Sequence, residues 1–197
     1  GISGSSVICG FDSGRLVALG LATGTVLWEA VITPPSGRSE LERMVDIDTD
    51  PLVMGGVVFI GTYQNEVAAA AEDTGIVFWR RKLSAFSGMS ADWRHLFVTD
   101  SADVVWALDP RSGATLWKQD KMPGRRLSGP AVLGDYLVVG DYEGYLHWMS
   151  VEDGRFLARS RGGSDPISAK LQVDGDTLFV LGESGDFAAM QVSGPIH

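Results

Sequence analysis

Cysteine and histidine are scarce in this sequence, and long hydrophobic runs are missing. The single cysteine, Cys9, cannot form an internal disulfide, and its apolar neighbours predict a small buried side chain. The three histidines, His95, His147 and His197, are scattered without the spacing of metal ligands. No segment resembles a signal peptide or a membrane span, although the chain starts in the middle of its sequence pattern. The sequence therefore offers neither a disulfide framework nor a metal-ligand motif.

Positive charge is also in short supply. The 197 residues include 16 Lys and Arg against 25 Asp and Glu, which gives a formal net charge of -9 at pH 7. An acidic surface repels phosphate groups, so we expect neither nucleic acid nor direct docking on anionic lipid. Hydrophobic residues make up 45% of the chain and charged residues 21%, which indicates a folded protein rather than a disordered one.

Glycine and tryptophan, by contrast, are abundant and belong to a repeat. Four segments align on a turn that ends in glycine, and the turns recur at intervals of roughly 40 residues with a longer first interval. The turn glycines are Gly24, Gly75, Gly113 and Gly154. A tryptophan lies four residues past the glycine in the first three copies, and Ala158 takes its place in the fourth. The tryptophan is large enough to pack against the neighbouring unit.

Each repeat predicts four short β-strands, which is the composition of a propeller blade. Apolar segments lie before and after every glycine turn, and no segment of useful length has a helical period. The run Ala68–Ala71 aligns with strand residues of the first copy, so we interpret it as a strand. The first unit appears without an innermost strand and the last without an outermost strand, which predicts eighteen strands in all.

The predicted fold class is therefore all-β, a partial β-propeller of about four to five four-stranded antiparallel blades whose first and last blades are incomplete. We expect one domain over residues 1–197, with blade boundaries near 1–33, 50–85, 86–122, 127–162 and 166–197.

A charged insertion accounts for the longer first interval and is the main candidate for a binding site. It covers residues 33–49, and loops carry binding residues more often than the strands that support them. Its candidate partner-binding residues are Arg38, Glu40, Arg43, Asp46 and Asp48. A second candidate is the pair Arg125 and Arg126, after a Pro-Gly turn. For each of these side chains the alternative is a solvated loop residue without a partner.

The acidic end of the insertion also resembles the start of a calcium-binding loop. Counting from Asp46, Pro51 stands where the loop needs glycine and Val57 stands where it needs glutamate. We therefore expect no calcium site there.

The repeat resembles that of the pyrroloquinoline-quinone-type propellers, with its pattern Ala-Leu-(Asp)-x-x-Thr-Gly-x-x-x-Trp. Within them the chain is similar to one branch, the BamB family of outer-membrane assembly lipoproteins. The segments that carry this resemblance are residues 36–51, 140–148 and 151–156. It covers essentially the whole chain and implies the C-terminal half of an eight-bladed ring.

The resemblance implies a non-catalytic scaffold on the periplasmic side of the outer membrane. Such a scaffold is tethered by an N-terminal lipid that this chain does not carry, since Cys9 lies inside a predicted strand. It binds the POTRA domains of the barrel-inserting subunit and helps to present unfolded outer-membrane proteins. The family's acidic contact pair corresponds to Asp46 and Asp48, whereas its Leu-x-Leu-Arg segment would precede Gly1. No cofactor is implied.

Two other functions stay open on the sequence alone. A propeller with this repeat is also found in quinoprotein dehydrogenases, which hold their cofactor over a calcium ion on the ring axis and often use adjacent cysteines. This chain has one cysteine in total. The third possibility is a general peptide-binding propeller that adds an extended client to an open sheet edge.

Overall fold

The computed structural model describes residues 1–11, 14–32, 50–62, 66–85 and 87–192, and these residues form β-strands without a helix. In these ranges, accordingly, no helix is long and apolar enough to cross a membrane. The strands form five antiparallel sheets, and in each sheet the hydrogen-bonded order follows the order in the sequence. Two compact units divide the chain between them: Gly1–Phe86 with Pro110–Ala114, and Ser87–Asp109 with Thr115–His197.

The first unit contains two four-stranded sheets. The first sheet consists of β1 (Ile2–Ser3), β2 (Ser6–Phe11), β3 (Arg15–Gly20) and β4 (Val26–Val31). The second sheet consists of β5 (Leu52–Met54), β6 (Val57–Thr62), β7 (Glu66–Ala71) and β8 (Val77–Lys82). Small and branched side chains from both sheets form the core between them: Ile8, Leu16, Ala18, Ile32, Val58, Ile60, Ala68 and Ala70.

The second unit contains three sheets. The third sheet of the chain consists of β9 (Met89–Ala91), β10 (Leu96–Thr99), β11 (Val105–Leu108) and β12 (Thr115–Gln119). The fourth consists of β13 (Ala131–Leu133), β14 (Tyr136–Gly140), β15 (Tyr145–Ser150) and β16 (Phe156–Arg161). The fifth consists of β17 (Gln172–Asp174), β18 (Thr177–Leu181) and β19 (Phe187–Gln191). One apolar cluster joins the third sheet to the fourth, and another joins the fourth to the fifth.

The all-β prediction is confirmed, and so is the interpretation of Ala68–Ala71, which lies in β7. The fifth sheet has three strands in the described residues, as expected. The expectation of a three-stranded first sheet is wrong, because Ile2–Ser3 forms a fourth strand by pairing with Val7 and Ser6. A strand of two residues has no alternation of polar and apolar positions by which the sequence could reveal it. Cys9 is half-buried in β2 rather than fully buried.

Tryptophan packs on the glycine turn of the next repeat inside each unit, as the repeat predicted. The turn glycines Gly75, Gly113 and Gly154 have φ near 70°, and a Cβ atom there would lie within 2.7 Å of an indole ring. The ring belongs to the tryptophan of the preceding repeat, and its Nε1–H donates to the carbonyl three residues before the glycine. The three bonds are Trp28 to Glu72 at 2.9 Å, Trp79 to Pro110 at 3.0 Å and Trp117 to Val151 at 2.9 Å.

A β-bulge precedes the tryptophan position in all four of the four-stranded sheets. The register between the third and fourth strands shifts next to Leu19, Ala70, Leu108 and Met149. The extra residue of the outer strand is Leu27, Phe78, Leu116 or Leu157, directly before the tryptophan or Ala158. The first three are about half exposed, at 56%, 56% and 49%. The bulge therefore places an apolar side chain at the outer margin of each of these sheets.

Candidate partner-binding connections

Two connections carry the candidate residues, and both run from the last strand of one sheet to the first strand of the next. Residues Arg38, Glu40, Arg43, Asp46 and Asp48 belong to the connection from β4 to β5 and lie outside the described residues. Arg125 and Arg126 belong to the connection from β12 to β13, which is described.

Arg125 is held by two carboxylates instead of extending freely into solvent. Its Nη1 atom lies 2.7 Å from Oδ2 of Asp141 and 3.2 Å from Oε2 of Glu143. The hydrogen bond to Asp141 raises the pKa of the Arg125 guanidinium further, against the opposing effect of burial. The backbone is fixed as well, because the carbonyl of Arg125 accepts the N–H of Tyr142 at 3.0 Å.

Asp141 is the centre of this network and is fully buried. Its Oδ1 atom accepts the backbone N–H groups of Glu143 and Tyr145, both at 2.9 Å. Its Oδ2 atom accepts from Arg125 and from Nε2 of His147, which lies 2.8 Å away. Burial by itself would raise the pKa of Asp141, but the hydrogen bonds from His147, the two amides and Arg125 outweigh it and lower the pKa. The carboxylate is therefore ionised and fully hydrogen-bonded.

The third sheet has a turn built in the same way. Asp100 accepts the N–H groups of Ala102 and Val104 at 2.8 and 2.9 Å, and its second oxygen accepts Nε1–H of Trp106 at 2.8 Å. Asp100 and Asp141 occupy the same place in their repeats, and so do Trp106 and His147. In the fourth sheet, Arg125 from the preceding connection also binds the aspartate of this shared turn.

The residue after Arg125 is displayed from a fixed backbone. Arg126 is exposed and has a positive φ of 49°. Leu127, on its far side, donates its N–H to Oδ1 of Asp103 at 2.8 Å. Both neighbours of Arg126 are thus tied to sheet turns, which lowers the entropy lost when its side chain contacts a partner.

Two further arginines make this margin of the fourth sheet cationic. The guanidinium carbons of Arg159 and Arg161 lie 4.3 and 4.4 Å from the ring centroid of Tyr145. Arg161 also donates to the backbone carbonyl of Glu143. We call Arg125, Arg126, Arg159, Arg161, Tyr142 and Tyr145 the arginine margin. Guanidinium groups stacked on aromatic rings suit the recognition of carboxylates, because the fork of donors stays free along its edge.

Sequence reasoning found the two arginines of the connection but missed Asp141, His147 and the arginines of β16. One signal was available, since an aspartate recurs at the same place in the third and fourth repeats, as Asp100 and Asp141. In the described ranges, no three His, Cys, Asp or Glu side chains form a group suited to a metal ion.

These features define a class of protein. Antiparallel sheets in which the tryptophan of one repeat packs on the turn glycine of the next are typical of one class of protein. That class is the β-propeller with pyrroloquinoline-quinone-type repeats. A crystal structure of BamB from Moraxella catarrhalis matches with a TM-score of 0.86, at 23% identity, over 98% of this chain and 57% of that chain. The computationally designed Ika8 protein matches with a TM-score of 0.76, at 13% identity, over the same shares. The predicted partial propeller is confirmed.

Sequence comparison identifies the branch. The family model described as "Outer membrane protein assembly factor BamB" matches residues 2–119 and 101–194, and the chain belongs to this family. Relatives of that name are 44% identical in Alkalilimnicola ehrlichii and 36% identical in Pseudomonas aeruginosa, each over 97% of this chain and 50% of the relative. The relative from Escherichia coli (strain K12) is 37% identical over 88% of this chain and 45% of its own length. The chain therefore spans about half the length of the curated relatives it matches.

Proposed function

We propose that this chain is part of a non-catalytic scaffold that acts in outer-membrane protein assembly on the periplasmic side of the outer membrane. Its partners in this proposal are POTRA domains of the barrel-inserting subunit and, in addition, unfolded outer-membrane proteins. In this proposal an N-terminal lipid of the full-length protein provides the membrane contact. The proposal rests on one observation: charged side chains that do not belong to the repeat pattern lie on the connections from one sheet to the next. The names of the relatives support the same role.

The inner strands have little capacity left for a polar partner. Their central residues are buried in the cores between sheets, and the tryptophans of the outer strands are used in contacts with turn glycines. The connections and turns, where charged side chains are accessible, are therefore the places proposed for contacts with POTRA domains.

The arginine margin is suited to this role because it is pre-organised. Asp141 is buried and ionised, and it orients Arg125 from a 2.7 Å distance. Arg126, Arg159 and Arg161 are exposed next to this fixed frame. A rigid cationic surface on an acidic protein selects an acidic patch on its partner and rejects most other surfaces by charge repulsion.

The connection from β4 to β5 carries the second half of the proposal. It is the same kind of connection as the one that bears Arg125, and it contains three basic or acidic candidates together with the pair Asp46 and Asp48. Its mixed charge suits charge-assisted hydrogen bonds to a polar partner surface. We propose Asp46 and Asp48 as the main contacts, with Arg38, Glu40 and Arg43 around them.

The test measures binding of purified POTRA domains to the full-length protein by surface plasmon resonance. We expect Asp46→Ala with Asp48→Ala to weaken binding at least about tenfold, which corresponds to about 1.4 kcal/mol. Arg126→Ala should produce a smaller loss that vanishes at high salt, because exposed charges are screened. Asp73→Asn, in the turn from β7 to β8 and not in a connection between sheets, serves as the matched control. Unchanged binding in the double variant would refute these contact residues, and no binding of the unmodified protein would refute the partner.

A further inference from the structure

An open cleft lies between the first two sheets, inside the first unit. It has a volume of about 550 Å³ and includes both apolar and acidic side chains. Its main lining residues are Ser5, Leu27, Trp28, Glu72, Asp73 and Phe78. Leu27 and Phe78 are the bulge residues of β4 and β8, each 56% exposed. The cleft belongs to the turns that join first to second and third to fourth strands, at the opposite margin of each sheet from the connections discussed above.

In the second unit, an ion pair lies at the equivalent place between the third and fourth sheets. The loop from β9 to β10 contains Arg94, whose Nη1 atom lies 2.8 Å from Oε1 of Glu152. Arg94 corresponds to Ser5, because each lies three residues before the second-strand residue, Ile8 or Phe97, that pairs with the alanine opposite the tryptophan. Glu152 corresponds to Asp73, because each lies two residues before the turn glycine.

The two places differ in several side chains, and the difference that concerns the turn carboxylate is Ser5 against Arg94. Where the third sheet supplies an arginine to the acidic residue of the next turn, the first sheet supplies a serine that is too short to reach. Among the described residues, neither Asp73 nor Glu72 forms an ion pair within 4.0 Å. The open cleft thus has the carboxylate without the guanidinium.

We propose that this cleft binds the arginine side chain of a partner peptide. The guanidinium pairs with Asp73, as Arg94 pairs with Glu152, and the aliphatic stem lies along Leu27 and Phe78. Arginine suits the cleft better than lysine because its fork makes two parallel bonds to a carboxylate and its charge is more weakly hydrated. The exposed apolar rim accommodates the neighbouring apolar side chain of the peptide. This site is separate from the connections of the proposed scaffold function.

The test uses the tripeptide acetyl-Leu-Arg-Leu-amide as probe, with the neutral citrulline peptide as its isosteric match. Binding is followed by nuclear magnetic resonance at the indole N–H of Trp28 and the amide N–H of Asp73. We expect saturable shifts at both with the arginine peptide. The citrulline peptide, and the arginine peptide with Asp73→Asn, should bind about two- to fivefold more weakly, the range for a partly exposed ion pair.

Two exchange variants make the test sharper. Ser5→Arg copies the third sheet into the first, so the protein's own arginine should fill the cleft and abolish the Trp28 shifts. Arg94→Ser copies the first sheet into the third, so a second binding event should appear at the indole N–H of Trp117. Absence of shifts in the unmodified protein, equal binding of the citrulline peptide, or unchanged binding in Ser5→Arg would each overturn the proposal. POTRA binding should be the same in every one of these variants.

Discussion

The turns of the third and fourth sheets share one frame and differ in what they add to it. In both, a buried or half-buried aspartate accepts two backbone N–H groups and one side-chain N–H, from Trp106 in the third sheet and from His147 in the fourth. Only the fourth adds Arg125 from the preceding connection. A turn that serves the fold alone thereby becomes one that also orients charge at the surface.

The largest loss of stability is expected when the aspartate is removed from each turn. Asp141→Ala leaves the ring of His147 without its carboxylate and Arg125 with Glu143 alone, and we expect a loss of about 3–5 kcal/mol in the free energy of unfolding. Asp100→Ala removes hydrogen bonds from neutral donors only and should cost about 1–3 kcal/mol. Urea denaturation of both variants measures the difference. Equal losses would mean that the added arginine does not change the energetics of the turn.

A smaller effect is expected when the arginine alone is removed. Arg125→Ala leaves Asp141 with three of its four partners, so the free energy of unfolding should fall by about 1.5–3 kcal/mol, as for a hydrogen bond to a charged group. Arg126→Ala is the matched control and should stay within about 0.5 kcal/mol, because that side chain is exposed. If the two variants lose stability equally, the ion pair between Arg125 and Asp141 contributes nothing measurable to the free energy of unfolding.

The smallest effect is a dependence on pH. The pKa of Asp141 is lowered in the folded protein, so the unfolded chain takes up its proton first as the pH falls through the usual aspartate pKa of about 3.9. The contribution of Asp141 to stability is therefore complete above that pH and decreases below it. The free energy of unfolding of the unmodified protein should fall more steeply on acidification than that of Asp141→Asn. Parallel curves would contradict the lowered pKa.

Much of the fold was predictable because the repeats share one pattern, so the strands of one repeat predict those of the others. The glycine turns and the tryptophans four residues later predicted the hairpins, and the structure shows Trp28, Trp79 and Trp117 packed on the next glycine. Strand β1 was missed because two residues show no period. The contact between Arg125 and Asp141 was not predictable, since it depends on the course of a connection and not on a spacing along a strand.

The ion pair between Arg94 and Glu152 shows the same limit. Each residue is unremarkable in its own repeat, and the pair becomes visible only when two sheets pack side by side. The cleft that lacks this pair was hidden for the same reason. The charged candidates of residues 33–49 stay predictions, because they lie outside the described part of the chain.

The bulge in the outer strands has a consequence for self-association. An outer strand with regular pleating exposes a row of N–H and C=O groups on which another chain can add a strand. The register shift next to Leu19, Ala70, Leu108 and Met149 interrupts that row at the same height in four sheets and increases the local twist. Each of these four sheets therefore protects its own margin against edge-to-edge aggregation, even though the exposed bulge residues Leu27 and Phe78 are apolar.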